Sequence, residues 1–332
     1  MDLPDTGQTR TRLIRRALLS LTWGACLGGL HPGRLHAASD DEARGVIAVI
    51  YPDIGEPFRS AFAAIVRGIE DGAQGRTTRL AIAPNATAAT LADDPRLRQV
   101  RTVIALGRSG LKAASGLDRK VHVIAGGVLS VPEGESPAWM TQSLAPDPAL
   151  LFSRLKAFVP RARRVAVVYD PRQNEWLIRL AREAARQQGL ELLTLEAQDL
   201  KVALKRYQDV MGQLNPRRDV LWLPQDSATV DESTVLPWLL RESWEHGIPV
   251  FSSNVAHVRR GALFALYPDN TELGRHLGAT AQALQSASPP PASRGLVALR
   301  QVLTAVNART ATHLGVDLHG AGQPIHLILP EQ

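Results

Sequence analysis

The sequence holds a single cysteine, Cys26, in 332 residues. One thiol cannot close an internal disulfide, and it leaves no paired-cysteine site for zinc or an iron–sulfur cluster. Nine histidines are present, but none falls at metal-ligand spacing and no HExxH segment occurs. No serine sits in a GxSxG turn, so the hydrolase elbow is missing. Gly107-Arg108-Ser109-Gly110 lacks the further glycines and the lysine of a phosphate loop. Together these gaps argue against an enzyme, a metal and a resident cofactor. Basic stripes interleaved with aromatics are also missing, which argues against a nucleic-acid partner. The sequence pI of 9.9 points the other way at first sight. Much of that excess lies in the first 38 residues, and the remainder carries 33 basic and 30 acidic residues. Those basic residues are mostly interleaved with acids along helices, as at Arg179, Arg182, Glu183 and Arg186, a solvated-surface pattern.

Residues 1–38 read as a signal peptide. Arg10, Arg12, Arg15 and Arg16 form a basic head, 17–30 is apolar, and Leu35-His36-Ala37-Ala38 offers small residues for cleavage. The apolar stretch has 14 residues, short of the about 20 that cross a bilayer. Export to the periplasm is therefore expected, and cleavage near Ala38 would leave no thiol, which suits an oxidising compartment. Arg15-Arg16-Ala17-Leu18-Leu19 partly resembles a twin-arginine export signal. A second reading is lipid attachment at Cys26, because Gly24-Ala25-Cys26 resembles the end of a lipoprotein signal. Trp23 stands there where an aliphatic residue is usual.

The whole chain is 45% apolar and 21% charged, the balance of a soluble globular protein. After Gly45, short β-branched runs alternate with longer amphipathic stretches, the pattern of parallel α/β units. Strands are expected at 46–51, 79–83, 102–106 and 121–125. Between the first two, Phe58, Phe62, Ile65, Val66 and Ile69 are spaced to fill one face of a helix. The series then restarts. Asp147 can cap a helix through Phe158, a strand at 165–169 ends in Asp170-Pro171, and a helix of 174–188 stops at Gly189. Further strands are expected at 190–195, 220–223, 248–251 and 262–267, with helices at 199–214, 232–246 and 270–284, the last returning to the first lobe. Pro289-Pro290-Pro291 marks a surface connection, followed by a helix near 304–314 and an apolar run at 325–329. Runs that are apolar throughout suit sheets covered on both faces. The expected fold class is α/β, with two Rossmann-like lobes of parallel sheet joined by a hinge. The N-terminal lobe would take 44–142 with about 267–295, and the C-terminal lobe 143–266 with about 296–332. Two such lobes form a cleft, and open α/β sheets bind ligands at the carboxyl ends of their strands.

Several stretches resemble one family. VAVVYDPRQNEWLIRLAREAARQQGLEL at 165–192 is similar to a strand, Tyr-Asn-Pro loop and helix of ABC-transporter substrate-binding proteins of the tryptophan and tyrosine uptake type. DVLWLPQDSATV at 219–230 resembles their strand with a Pro-Thr-Asp-Asn turn. GIPVFSSN at 247–254, GALFALYPDNTELGRHLGATA at 261–281 and VNARTATHLGV at 306–316 resemble later segments in the same order. The resemblance implies the type I periplasmic-binding-protein fold and capture of a small organic ligand, an amino acid among the candidates, for an ABC permease. It also implies a monomer whose partners are that ligand and either a permease or an envelope receptor. In the first lobe VIALGRSGLKAA at 103–114 is similar, but Gly126-Gly127-Val128-Leu129 replaces the usual Asp-Pro turn and 71–100 is shortened. These departures leave the ligand's identity open. They also motivate a second reading, a ligand-sensing or receptor-associated envelope protein of the same fold with no transport role.

Ligand contacts are sought at strand ends. Ser109, at the start of a helix, offers a hydroxyl beside free backbone N–H groups to hold a carboxylate, and it could equally cap the helix. Asp226, past the strand at 220–223, could neutralise a ligand ammonium or bond its own turn. Asn174 matches the family's asparagine after the Tyr-Asn-Pro loop, while Glu175 replaces a small serine. Ser252, Ser253 and Asn254 follow another strand and could bond ligand or simply form a polar loop. Tyr51, Asp53 and Phe58 flank the first strand-to-helix loop, where an aromatic ring either stacks on a planar ligand or packs in the core.

Overall fold

The computed structural model describes residues 46–92, 94–131, 139–286, 295–318 and 324–330, together with 320 and 322. The expected leader, Cys26 and the Pro289-Pro290-Pro291 connection lie outside the described residues.

Strand β1 (Ile47–Pro52) is apolar in every position to Ile50 because both of its faces are covered. Ile47 and Val49 enter one core cluster, and Ala48 and Ile50 enter the other. Helix α1 (Phe58–Gly72) buries Ile65, Val66 and Ile69, whose spacing puts them on one side. Strand β2 (Thr77–Ile82) pairs parallel to β1 along one edge. A short helix α2 (Ala88–Ala92) and one tight turn precede β3 (Thr102–Leu106), parallel to β1 on its other side. Helix α3 (Gly107–Ala114) leads to β4 (His122–Val128), and β5 (Met140–Pro146) follows in the same sheet.

The chain then crosses to a second sheet. Asp147 caps α4 (Pro148–Phe158) by accepting the Ala149 N–H at 2.9 Å. Strand β6 (Arg164–Tyr169), helix α5 (Pro171–Gln187), β7 (Glu191–Glu196), α6 (Leu200–Met211), β8 (Asp219–Leu223) and α7 (Val235–His246) come next. They are followed by β9 (Val250–Ser252), α8 (Val255–Arg260) and β10 (Phe264–Pro268). In β6 the two-residue period again sorts the core, with Val165, Val167 and Tyr169 on one face and Ala166 and Val168 on the other.

Helix α9 (Asn270–Ser286) returns to the first sheet, and β11 (Gly295–Leu299) lies at its edge beside β5. Strand β12 (Val302–Asn307), helix α10 (Ala308–His313) and strand β13 (Leu327–Leu329) finish the second sheet. The helix expected over 304–314 is thus split. Its first residues form β12, and Asn307 caps the remainder by accepting the Thr310 N–H at 3.0 Å. The strand order is β11-β5-β4-β3-β1-β2 in the first sheet and β13-β12-β10-β9-β8-β6-β7 in the second.

Among the described residues all pairings are parallel except β10 with β12, and the exception shows how the two sheets meet. Strand β11 runs parallel to β5 and leaves the first sheet at its carboxyl edge. Only Arg300 and Gln301 separate it from β12, which begins beside Pro268, the last residue of β10. A strand that enters at the edge where its neighbours end must run against them. The links after β5 and β10 also leave at carboxyl edges. The three links hydrogen-bond to one another, Asp147 N–H to Leu299 O at 2.8 Å and Asp269 N–H to Gln301 O at 3.0 Å. Val302 packs against core clusters of both sheets. The carboxyl edges therefore meet at the crossing point.

The return of α9 depends on glycine. Gly68 and Gly72 of α1 face Gly274 and Gly278 of α9, and a methyl group on any of the four would collide with backbone of the opposite helix. Without side chains between them the helices touch along their backbones, which seats Leu273, Leu277 and Ala281 in the core beneath the first sheet. Fully burying such a leucine contributes about 1.5–3 kcal/mol.

Candidate functional site

Two rims of loops line the carboxyl edges. On the first, Tyr51 is half-buried against the core and Asp53 is exposed, its N–H held by Ile82 O at 2.8 Å. Glu56 accepts from the Ser60 hydroxyl at 2.7 Å, which fixes the first turn of α1. Phe58, expected on the apolar face of that helix, is 61% exposed at its outermost turn. The core-facing stripe starts one turn later, at Phe62. Gly107 (φ +70°) follows the end of β3, and β4 passes through Gly127 (φ +71°). A Cβ at either would press on the Phe62 ring, at 3.1 and 3.2 Å. Ser109 neither caps α3 nor offers a free hydroxyl: its Oγ donates to Pro84 O at 2.7 Å. The residue before the helix is Leu106, with no side-chain cap.

The second rim is braced by two polar clusters. Asp226, 4% exposed, accepts from the Asp170 N–H at 2.7 Å, Asn174 Nδ2 at 3.0 Å and the Ala228 N–H at 3.0 Å. These bonds tie the loop after β8 to the loop after β6. Burial raises the Asp226 carboxyl above the usual range against these donors, and the nearby Asp170 adds to the rise. Burial also pushes Asp170 upward, but Arg172, paired with it at 2.8 Å, outweighs this and holds it below the usual range. Glu175 turns back along its own helix, accepting from Tyr169 OH at 2.7 Å and Arg182 at 2.8 Å.

The second cluster lies after β9. Ser252 Oγ sits 3.1 Å from Leu223 O and 2.8 Å from His257 Nδ1, and accepts the Asn254 N–H at 3.0 Å. Asn254 caps α8 by accepting the Ala256 N–H at 2.9 Å. Ser253 Oγ accepts from Trp222 Nε1 at 3.1 Å. Burial drives the His257 imidazole down to about 4, so it is neutral at physiological pH. Among the sequence-expected residues, the fold thus joins Asn174 to Asp226 and Ser252 to Asn254. It places Tyr51, Asp53 and Ser109 on the other rim. Asp170, Arg172 and His257 were not foreseen as members. Asp170-Pro171 after an apolar run was a visible helix-start signal, whereas nothing in the sequence marked His257.

One cavity of about 420 Å³ sits between α1 and the β1–β2 edge and reaches the first rim at Tyr51 and Asp53, with Phe62, Arg59, Arg67 and Arg79 also in its lining. The other, of about 640 Å³, runs between α7, α8 and the start of α10. Among the described residues no group of His, Cys, Asp or Glu could hold a metal ion, and no helix is long and apolar enough to cross a membrane.

The described architecture is the α/β periplasmic-binding-protein type of fold. The ligand-free, open form of a substrate-binding protein with adhesive properties from Clostridium difficile matches with a TM-score of 0.61 at 15% identity, covering 85% of this chain and 98% of that one. An ABC domain from Streptococcus pneumonia in complex with L-Trp matches at 0.53 and 14% identity, over 86% of this chain and 100% of that one. A conserved domain protein from Vibrio cholerae matches at 0.51 and 15% identity, over 86% and 99%. At these identities the likeness is one of fold. A search of curated protein sequences finds no match. The model of the family described as ABC transporter substrate binding protein matches residues 152–321, from within α4 to beyond α10 and just over half of the chain. The family is one of binding proteins rather than enzymes, and this chain belongs to it: it is an ABC transporter substrate-binding protein.

Proposed function

We propose that the two sheets act as lobes, residues 46–146 with 270–299 and residues 147–268 with 302–330, that close on a small organic solute held between their rims. The observation that carries this reading is the crossing: three short links, bonded to each other, join the carboxyl edges of the two sheets. Hinged closure draws its energy from ligand contacts made by both lobes together. The polar clusters around Asp226 and Ser252 hold the second rim in shape, so that backbone and the outer faces of Asn174 and Asn254 meet the solute. On the first rim Phe58, Asp53 and Tyr51 are the proposed contacts, together with the first-turn backbone N–H of Ser109, whose hydroxyl is engaged by Pro84. An exposed phenylalanine ring favours a solute with a flat apolar part, and an aromatic amino acid is the foremost candidate.

The protein binds without chemical conversion, acts as a monomer in the periplasm after loss of its leader, and delivers the solute to an ABC permease. A thermal-shift screen of amino acids, nucleosides and small organic acids tests this, since a ligand bound only by the folded state raises the melting temperature. Supporting hits would shift melting in wild type and lose most of that shift in Phe58→Ala. No shift from any compound, together with turnover in a chromogenic hydrolase panel, would overturn it.

A further inference from the structure

Among the described residues, the cavity between α7, α8 and α10 is walled by four arginines, Arg241, Arg259, Arg260 and Arg309, against one carboxylate, Glu232. Basic and acidic residues nearly balance over the chain beyond residue 38, so this is a local excess. Arg260 is held by the backbone carbonyl of Glu232, and Arg241 lies 3.6 Å from Glu242. Among the described residues Arg259 and Arg309 have no carboxylate partner. All four side chains are exposed. The floor is apolar, formed by Pro237, Leu240 and Trp244. Trp244 is 44% exposed and is held flat by His313, stacked at 3.7 Å and 7°. His313 Nε2 also bonds Trp244 O at 2.9 Å, so the indole is fixed before anything binds.

This groove is not part of the solute site. Asn307 in its wall ends β12 and Pro330 follows β13, and both strands run away from the crossing where β12 begins. A strand of this length spans roughly 17–20 Å, so the groove's far wall sits about one strand length from the hinge. Small-molecule sites bury most of their ligand, and exposed guanidinium groups spread over three elements do not. A rigid tryptophan ringed by arginines is instead the composition of a protein-interface hot spot.

We propose that this groove docks an acidic segment of a partner protein, with carboxylates on Arg259 and Arg309 and an apolar side chain against Trp244 and Leu240. The occupant is assigned by charge complementarity, and docking is independent of what the solute cleft holds. The test uses the mature full chain and two fluorescein-labelled octapeptides, one of glutamate alone and one of glutamate with two central leucines, read by anisotropy at low and high salt. The leucine peptide should bind about tenfold more tightly than oligoglutamate. Trp244→Ala should erase that advantage, and Arg259→Glu with Arg309→Glu should weaken both peptides at least about tenfold. Arg206→Glu, exposed on α6, should change neither. Equal binding of the two peptides, or binding that survives Arg259→Glu with Arg309→Glu, would overturn the proposal. So would citrate or phosphatidylglycerol vesicles binding at this groove in preference to the leucine peptide. Failure here leaves solute capture untouched, because that is read by thermal shift with a different probe.

Discussion

Gly274→Ala reverses an ordinary expectation. In an exposed helix this exchange stabilises by about 1 kcal/mol, because alanine loses less backbone entropy. In α9 the added methyl would lie on the carbonyl oxygen of Ile65, with Gly68 Cα and Ile69 N each at 2.9 Å. Every obstacle is backbone, so no rotamer change relieves it and the helices must move apart by roughly 1 Å, the overlap beyond normal contact. That separation loosens Ile65, Ile69, Leu273 and Leu277, all nearly or wholly inaccessible to solvent. Overpacking typically costs about 1–3 kcal/mol. With rigid atoms on both sides, a net loss of about 2–3 kcal/mol is expected. At about 2–4 °C per kcal/mol for a protein of this size, Tm should fall by roughly 4–12 °C. Urea denaturation followed by circular dichroism gives the stability change directly. Gly212→Ala is the control: its Cβ would meet nothing closer than 3.8 Å, and it should be neutral or slightly stabilising. A Gly274→Ala protein as stable as wild type would refute the backbone-contact account of how α9 joins the first sheet.

Asp226→Ala removes the acceptor of two backbone N–H groups and the Asn174 amide. Buried donors left unpaired cost about 1–3 kcal/mol each, so a loss of about 3 kcal/mol or more is expected in urea denaturation. The Asp226 carboxyl ionises less readily folded than unfolded. Its contribution is therefore most favourable below the unfolded value of 3.8 and declines as pH rises through the folded value. Asp226→Asn should remove that part of the pH dependence, and an unchanged profile would contradict it. His257 has the opposite sense: its folded value is about 4 against 6.5 unfolded, so stability is full above 6.5 and falls as pH drops toward 4. The loss should total about 3 kcal/mol. An NMR titration placing the imidazole near its ordinary value would disprove the buried, neutral assignment. Phe58→Ala should leave urea stability within about 0.5 kcal/mol, since the ring is exposed, while weakening any solute found in the screen by about tenfold or more. Equal affinity would remove Phe58 from the rim.

Much of the α/β layout was legible because β1, β3, β6 and β8 are apolar runs bounded by clear helix caps, Asp147 and Asp170 among them. Strand β5 was not. Its sequence, MTQSLAP, buries Thr141, Gln142 and Ser143, and polar residues in a covered strand break the expected pattern. The reason is the crossing. Gln142 Nε2 donates to the carbonyls of Val297 and Ala298 at 3.1 and 3.2 Å, where the β5–β11 register shifts. Strand β12 was read as helix because its apolar residues run on into those of α10, and only the Asn307 cap divides them. The rim residues were legible as polar groups at strand ends, but that pattern is the same for a ligand contact and for a loop brace. Asp226 and Ser252 reveal their internal partners only when loops some thirty to sixty residues apart are brought together. The arginines of the α7–α8–α10 groove were invisible for the same reason.

The claim that both lobes close on one solute is tested most directly by a distance across the gap. Spin labels on Arg108→Cys and Ser227→Cys, exposed positions on opposite rims, in a Cys26→Ser background would report it by pulsed electron resonance. Adding a solute that raises the melting temperature should shorten and narrow the distance distribution. Saturating binding that leaves the distribution unchanged would contradict closure between the rims.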